Sequence, residues 1–110
     1  MKRRHVVIFI TCATRGEARR IAKALVAKRL AACANIVPGI ESLFRWKGRI
    51  DRATEVLVIV KTRAGHFKRV EEEVKRLHSY EVPEIVMIPI TEGSAPYLDW
   101  IDSSVSSKGA

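Results

Sequence analysis

The pattern of apolar and polar positions along the chain predicts four strands and three helices. The strand-like segments are apolar and β-branched, or alternate between apolar and polar positions; they are residues 5–13, 32–50, 55–62 and 84–90. The helix-like segments repeat apolar residues three and four positions apart; they are residues 18–30, 65–78 and 95–105. The chain therefore predicts the order β-α-β-β-α-β followed by one further helix.

Local signals mark where these elements begin and turn. Thr14 and Glu17 have the spacing of a capping box, in which Thr14 accepts the amide of Glu17 and the Glu17 carboxylate reaches back. Ser94 caps the last helix, and residues 47–55 supply the turn between the second and third strands. The element order is that of the split βαβ motif. We therefore expect an α+β fold, a ferredoxin-like βαββαβ sandwich with a C-terminal helix.

Three of the predicted strands are apolar without interruption, which bears on the assembly. In an isolated sheet with helices on one face, strands alternate because the other face meets water. Here Val6–Ile10, Val56–Val60 and Ile85–Ile88 do not alternate, so both faces of the sheet are predicted to be buried. Because the helices cover only one face, we expect another copy of the same chain to cover the second, giving a homo-oligomer.

The second strand-like segment is too long for a compact domain. Residues 32–50 would span roughly 60 Å if fully extended, whereas a domain of this size has a radius of gyration of about 13 Å. We therefore expect a bend at Pro38 and Gly39, followed by a projecting ribbon that carries Phe44 and Trp46. Exposed aromatic residues on such a ribbon favour contact with a partner surface.

Composition and charge narrow the classes of function. The 110 residues fit a single domain, 1–110, with an ordered core over about 5–103 and a polar C-terminal tail. No apolar run approaches the length of a membrane span, and the basic start followed by a short β-branched run favours a first strand over a signal peptide. Two cysteines, Cys12 and Cys33, without disulfide spacing favour the cytoplasm. On their own, both are interpreted as small, buried apolar side chains.

The net charge of +8 raises the question of a polyanionic partner. An RRM sheet displays stacking aromatic residues on its central strands. Residues 55–62 contain no aromatic residue and no glycine, and the first strand contains only Phe9. We therefore do not expect nucleic acid as a partner.

Candidate chemistry centres on one histidine. No catalytic or nucleotide-binding motif is present in the sequence, so we expect no catalysis. His5, at a strand start, and His66, in the first turn of a helix, are expected at the surface. His78 closes the second helix and is followed by Tyr80 and Glu84. Two interpretations of His78 stay open: a helix terminus favoured by the dipole, or a Cu or Zn ligand completed by groups from elsewhere.

Four blocks of sequence resemble, in order and spacing, the CutA family of divalent-cation tolerance proteins. They are "KRLAACANIVPGIESLFRWKGRI", "EVLVIVKT", "LHSYEVPEI" and "YLDWI". The resemblance covers about residues 5–103. It implies a cytoplasmic homotrimer of ferredoxin-like subunits, similar in architecture to the nitrogen-regulatory PII proteins. It also implies a role in tolerance of copper and other divalent ions, with no enzymatic reaction.

The resemblance further implies which residues form sites. The metal ligands that it implies are His78, Cys33 and Glu84. The residues of a ligand cleft or subunit interface that it implies are Trp46, Lys61, Tyr80, Tyr97 and Trp100. Ser79 departs from the proline that the family usually carries after this histidine, so the turn is expected to be less rigid.

Two functions follow from these residues as alternatives. In the first, Cu or Zn binds weakly near His78, and no cofactor is obligatory. In the second, a PII-like signalling trimer holds a small anionic ligand in the cleft between subunits, through basic groups such as Lys61 or Arg63.

Overall fold

A computed structural model describes residues 5–107 as a mixed α+β fold with a four-stranded antiparallel sheet and three helices. The strands are β1 (His5–Cys12), β2 (Cys33–Trp46), β3 (Arg49–Arg63) and β4 (Ile85–Pro89). The helices are α1 (Arg15–Ala27), α2 (Phe67–Leu77) and α3 (Ala95–Ser104), with one turn of 3₁₀ helix at Ala64–His66. The predicted element order is confirmed. The basic start of the chain and the end of its polar tail lie outside the described residues.

The sheet has the strand order β2-β3-β1-β4, with every neighbouring pair antiparallel. Ile8 of β1 pairs with Val60 of β3 on one side and with Met87 of β4 on the other. The central strands are thus β1 and β3. The edges of the sheet are the short β4 and the long β2.

The turn between β2 and β3 is shorter than the sequence predicts. Residues 49–54, expected in a turn, form the start of β3 and pair with β2 as far as Trp46 opposite Arg49. Only Lys47 and Gly48 form the turn, and both have positive φ, 51° and 80°. Positive φ at both central residues is the geometry of a type I′ hairpin turn, whose twist matches that of the strands. Residues 49–54 therefore lengthen the β2–β3 hairpin and do not form its turn.

The hairpin bends and projects as expected. The pairing register shifts between Val37 and Ile40, and Gly39 there has a φ of 77°, a conformation open to glycine. The domain measures 44 × 25 × 22 Å. Beyond the bulge the hairpin exposes Phe44 and Trp46, the latter by 58%.

One face of the sheet forms the core with α1 and α2. The buried side chains of the helices include Ile21, Leu25, Val70 and Val74, and those of the central strands are Val6, Ile8, Ile10, Val56, Val58 and Val60. The residues between them on the strands, such as Phe9 and Ile59, point to the other face and are half-buried. On β4, Val86 and Ile88, which pair with Phe9 and Val7 on this second face, are each more than 40% exposed. The second face is apolar; α3 reaches it at His5 and Arg63, and this chain leaves the part on β4 uncovered.

Two expectations about histidines are wrong. His5 and His66 are both buried, because the C-terminal segment folds over them. The Nε2 atom of His5 lies 2.9 Å from Oδ1 of Asp102 in α3, and Nε2 of His66 lies 2.7 Å from the carbonyl oxygen of Ser106. His66 also precedes α2, in the 3₁₀ turn, rather than lying within it. None of the helices in residues 5–107 combines the length and apolar character needed to cross a membrane.

Candidate functional site

His78 follows the last residue of α2 and is enclosed by the turn between β1 and α1. Its backbone N–H donates to the carbonyl of Val74 at 2.8 Å and closes the helix, as predicted. Its side chain is 0% exposed. The ring nitrogen Nε2 lies 2.7 Å from the carbonyl oxygen of Thr11, and Nδ1 accepts the backbone N–H of Tyr80 at 3.0 Å. Because a carbonyl can only accept, the proton sits on Nε2 and the lone pair is on Nδ1.

Glu17 ties this turn to His78. Its backbone N–H donates to Oγ1 of Thr14 at 3.1 Å, which confirms half of the capping box. The carboxylate does not return to Thr14 but accepts the N–H of Ala13 at 3.0 Å and the N–H of Ser79. Burial alone would raise the pKa of this carboxyl, but the hydrogen bonds from Ala13 and Ser79 outweigh it and lower the pKa.

Cys12 completes a cluster with Glu17 and His78. One possible ligand atom from each residue (a thiol sulphur, a carboxylate oxygen and an imidazole nitrogen) lies within 4.8 Å of the other two. His78 Nδ1 and Glu17 Oε2 are 3.8 Å apart. Burial, helped by the negative charges of Glu17 and Glu55, raises the pKa of the Cys12 thiol to about 12. These three residues are the ligand cluster.

Two members of the ligand cluster were missed in the sequence. Cys12 is interpreted there as a buried apolar side chain, and Glu17 only as a capping residue. The closeness of Cys12 and Glu17 in the sequence could have indicated that they meet. Cys12 ends the first strand, and the capping box that follows returns the Glu17 side chain to the residue after Cys12. Only the fold could show that the end of α2 delivers His78 to the same point.

A cleft of about 970 Å³ lies beside the ligand cluster, between the β2–β3 hairpin and residues 80–84. Its carboxylates are Glu41, Asp51, Glu55, Glu81 and Glu84, its aromatic residues are Phe44, Trp46 and Tyr80, and no Lys or Arg lines it among the described residues. The Tyr80 hydroxyl donates to Glu55 at 2.6 Å. Burial and this carboxylate raise the pKa of Tyr80 to about 12. The cleft is an acidic region of a basic protein.

Four of the predicted residues form a second group on another part of the sheet. Cys33, which is half-buried rather than buried, pairs with Lys61 across β2 and β3. Both side chains hydrogen-bond to the side chain of Asn35. Tyr97 of α3 lies close to Cys33; burial, followed by the influence of Cys33, raises the pKa of Tyr97. Its ring centroid lies 5.5 Å from that of Trp100.

The two groups are separate within one chain. Cys12 pairs with Val56 of β3, and Cys33 pairs with Lys61 of the same strand. These two positions on β3 are roughly 17 Å apart along the strand. Glu84 lines the acidic cleft and is not part of the ligand cluster. Trp46 lies at the hairpin end, where the ammonium of Lys47 sits 5.8 Å from its ring centroid. The metal roles of Cys33 and Glu84 stay predictions.

Comparison with known proteins gives a family for the whole fold. Residues 6–104 match the family model described as CutA1 divalent ion tolerance protein. The divalent-cation tolerance protein CutA of Thermus thermophilus is 53% identical over 95 residues, which cover 86% of this chain and 92% of that protein.

Solved structures agree with the sequence match. The structure of a divalent cation tolerance protein from Thermus thermophilus superposes with a TM-score of 0.91 at 49% identity, covering 93% of this chain and 99% of that one. The structure described as the periplasmic divalent cation tolerance protein CutA of Archaeoglobus fulgidus gives a TM-score of 0.90 at 52% identity, with the same coverage. The chain therefore belongs to the CutA1 family of divalent ion tolerance proteins.

Proposed function

We propose that this protein is a divalent-cation-responsive homotrimer of ferredoxin-like subunits, in which each subunit binds a transition-metal ion weakly at the ligand cluster. The observation that carries the proposal is the meeting of Cys12, Glu17 and His78 within 4.8 Å. Thiolate and imidazole ligands suit copper and zinc rather than magnesium or calcium. The family described as divalent ion tolerance proteins supplies the class of ion.

The ligand cluster fits such an ion with small adjustments. In a tetrahedral zinc site, ligand atoms about 2.0–2.3 Å from the metal lie roughly 3.5 Å from one another. The His78 Nδ1 and Glu17 Oε2 atoms are already 3.8 Å apart. Three protein ligands would leave one position for water.

We expect weak metal binding because Cys12, Glu17 and His78 already hold a proton or accept hydrogen bonds. The Cys12 thiol holds its proton at neutral pH, because burial raises its pKa to about 12, and an ion must displace that proton. The Glu17 carboxylate and His78 Nδ1 already accept backbone N–H groups. Metal binding therefore replaces existing interactions, which favours a reversible response over permanent retention of the ion.

The acidic cleft supports the same class of ligand. Clefts lined by one sign of charge raise the local concentration of ions of the opposite sign. Thr11, Glu55 and Tyr80 line the cleft. The backbone carbonyl of Thr11 is hydrogen-bonded to the His78 ring. Divalent cations gathered by the cleft would arrive next to the ligand cluster.

The uncovered face of the sheet supports the homotrimer. Val86 and Ile88 leave an apolar strip on β4, on the face opposite α1 and α2, in contact with water, which is unfavourable for an isolated subunit. The strand order β4-β1-β3-β2 with helices on one face also supports the ferredoxin-like assignment. Copies of the chain that bury this strip would remove the apolar exposure.

The proposed compartment is the cytoplasm, and no catalysis is part of the proposal. Both cysteines are free thiols, as is usual in a reducing compartment. The Archaeoglobus structure is described as periplasmic, so fractionation of cells expressing the native chain is the decisive observation. Recovery with periplasmic markers would refute the cytoplasmic location.

Calorimetric titration of Cu(II) and Zn(II) tests the metal proposal. The native protein should bind both ions, and His78→Ala should lose at least about tenfold in affinity, because one of three ligands is gone. Cys33→Ala is the matched control, since it removes the other thiol far from the ligand cluster, and its affinity should equal that of the native protein. Equal binding by the native protein and His78→Ala would remove His78 from the site.

A second candidate is a small anionic ligand at Lys61. The observation that favours it is the pairing of Lys61 with Cys33 across β2 and β3, close to Tyr97 of α3. Arg63 is a poor partner for such a ligand, because it pairs with Asp102 at 3.1 Å. A thermal-shift screen with nucleotides and carboxylic acids should find a stabilising ligand whose effect Lys61→Ala abolishes; no shift across the screen would refute this candidate.

A further inference from the structure

The segment that connects α2 to β4 is hydrogen-bonded to three side chains. Three hydrogen bonds fix residues 79–84 within the described part of the chain: Ser79 N–H to the Glu17 carboxylate, Tyr80 N–H to His78 Nδ1, and the Tyr80 hydroxyl to Glu55. Tyr80 and Pro83 are half-buried, whereas the other residues of the segment are exposed, Val82 by 87%. We refer to residues 79–84 as the tethered segment.

Two of these three tethers end on atoms of the ligand cluster. Glu17 and His78 hold the first two backbone N–H groups of the tethered segment, and both residues are proposed metal ligands. The third tether, from Tyr80 to Glu55, lies in the cleft. Any ion at the ligand cluster thus shares its ligands with the tethered segment.

His78 Nδ1 cannot serve the ion and the tethered segment at the same time. The carbonyl of Thr11, 2.7 Å away, fixes the proton on Nε2, so Nδ1 offers the one lone pair that the neutral imidazole has. That lone pair accepts the N–H of Tyr80 at 3.0 Å. It cannot bind an ion and accept this hydrogen bond at the same time. A carboxylate has several lone pairs and can share, so Nδ1 is the decisive atom.

We propose that metal binding at His78 releases the tethered segment, so that ion binding and the closed conformation of residues 79–84 exclude each other. The inference rests on the proposed metal site and adds the response to it. Once Tyr80 N–H loses its acceptor, the segment keeps only its bonds to Glu17 and Glu55. Because Tyr80, Glu81, Val82 and Glu84 line the acidic cleft, release changes the shape of that surface.

Coupling between two equilibria is reciprocal. If the ion opens the segment, then a change that favours the open segment must tighten ion binding. Pro83→Gly is such a change, because it removes no hydrogen bond and no charge but increases the freedom of the open segment. Zinc affinity should rise roughly two- to fivefold. Pro38→Gly, at the β2 bulge, is the matched control and should leave zinc affinity unchanged.

Hydrogen exchange with mass spectrometry, with and without Zn(II), measures release directly. In the native protein, zinc should speed exchange in peptides covering residues 79–84 by roughly tenfold or more, because protecting hydrogen bonds are lost. His78→Ala removes the acceptor itself, so these peptides should exchange fast without zinc and show no further change with it.

The results of these experiments distinguish release of the tethered segment from metal binding at the ligand cluster. If calorimetry shows zinc binding that depends on His78 while exchange at 79–84 stays the same or slows, release is refuted and the metal site stands. If the native protein does not bind zinc, both are refuted. If Pro83→Gly and Pro38→Gly change zinc affinity equally, the coupling is also refuted.

Discussion

The carboxylate of Glu17 in α1 accepts the backbone N–H of Ser79, 62 residues further along the chain. The same carboxylate accepts the N–H of Ala13, so one buried side chain joins the end of β1, the start of α1 and the end of α2. Hydrogen bonds to a charged group contribute about 1.5–3 kcal/mol each. Glu17 is therefore both a member of the ligand cluster and a residue that stabilises the contact between the β1–α1 turn and the end of α2.

Substitution of Glu17 should lower stability. Glu17→Gln keeps the shape of the side chain but has one accepting oxygen where the carboxylate has two, so it loses one of the two hydrogen bonds as well as the negative charge. It should lower the free energy of unfolding by about 1–3 kcal/mol. Urea denaturation measures the change, with Glu72→Gln, an exposed carboxylate on α2, as the control. Equal stability of the two variants would contradict the structural role of Glu17.

The stability of the protein should depend on pH through His66. Burial, and the nearby charges of Arg69 and Arg63, lower the pKa of this buried histidine below its ordinary 6.5, against the opposing effect of the hydrogen bond to Ser106. The unfolded state then binds more protons than the folded state below pH 6.5. The stabilisation is therefore complete above that pH and declines as the pH falls toward the folded pKa.

His66→Gln isolates this effect. A glutamine can still donate to the Ser106 carbonyl but does not titrate. Between pH 7 and pH 5, the native protein should lose stability relative to His66→Gln in thermal or urea unfolding. Parallel pH profiles for the two proteins would show that His66 does not bind its proton more weakly in the fold.

The trimer should depend on the uncovered strip of β4. Ile88, opposite Val7 on that face, is 44% exposed, and Ile88→Asp places a charge where the proposed neighbour packs. Burying an unpaired charge is strongly unfavourable, so the variant should sediment as a smaller species at micromolar concentration. Arg20→Asp, on the exposed side of α1, should remain trimeric. A native protein that sediments as a monodisperse monomer would refute the trimer.

Two glycines should respond in opposite directions to the same substitution. Gly48 has a φ of 80° in the hairpin turn, where a side chain is strained, so Gly48→Ala should destabilise the protein by about 1 kcal/mol. Gly16 lies in the first turn of α1, and an added Cβ would meet its nearest neighbour, Thr14 Oγ1, at 4.0 Å. Gly16→Ala should raise stability by roughly 0.5 kcal/mol. Thermal unfolding of both variants measures the difference.

The fold was largely predictable because its signals are local. Apolar runs, helical stripes and the Thr14 cap each depend on residues close in sequence, and they gave the correct element order. The hairpin turn at Lys47 and Gly48 was misplaced because the paired residues after it are polar, and polar residues are usual in turns. Pairing with a strand already in place outweighed that local preference.

The candidate site was less predictable because it depends on contacts between distant parts of the chain. His78 was singled out correctly as the residue that closes α2, but its neighbours Cys12 and Glu17 come from the β1–α1 turn. The burial of His5 and His66 depends likewise on the C-terminal segment. No spacing rule joins residues so far apart, whereas the resemblance to a family did place Lys61, Tyr97 and Trp100 together in one expected cleft or interface.

The most direct test of the metal site is a crystal structure of the native protein soaked with zinc, with anomalous data collected at the zinc absorption edge. We predict a peak about 2.0–2.1 Å from His78 Nδ1 and about 2.3 Å from Cys12 Sγ, with a Glu17 oxygen also in range. A zinc ion bound elsewhere, with no density at His78 Nδ1, would contradict the account.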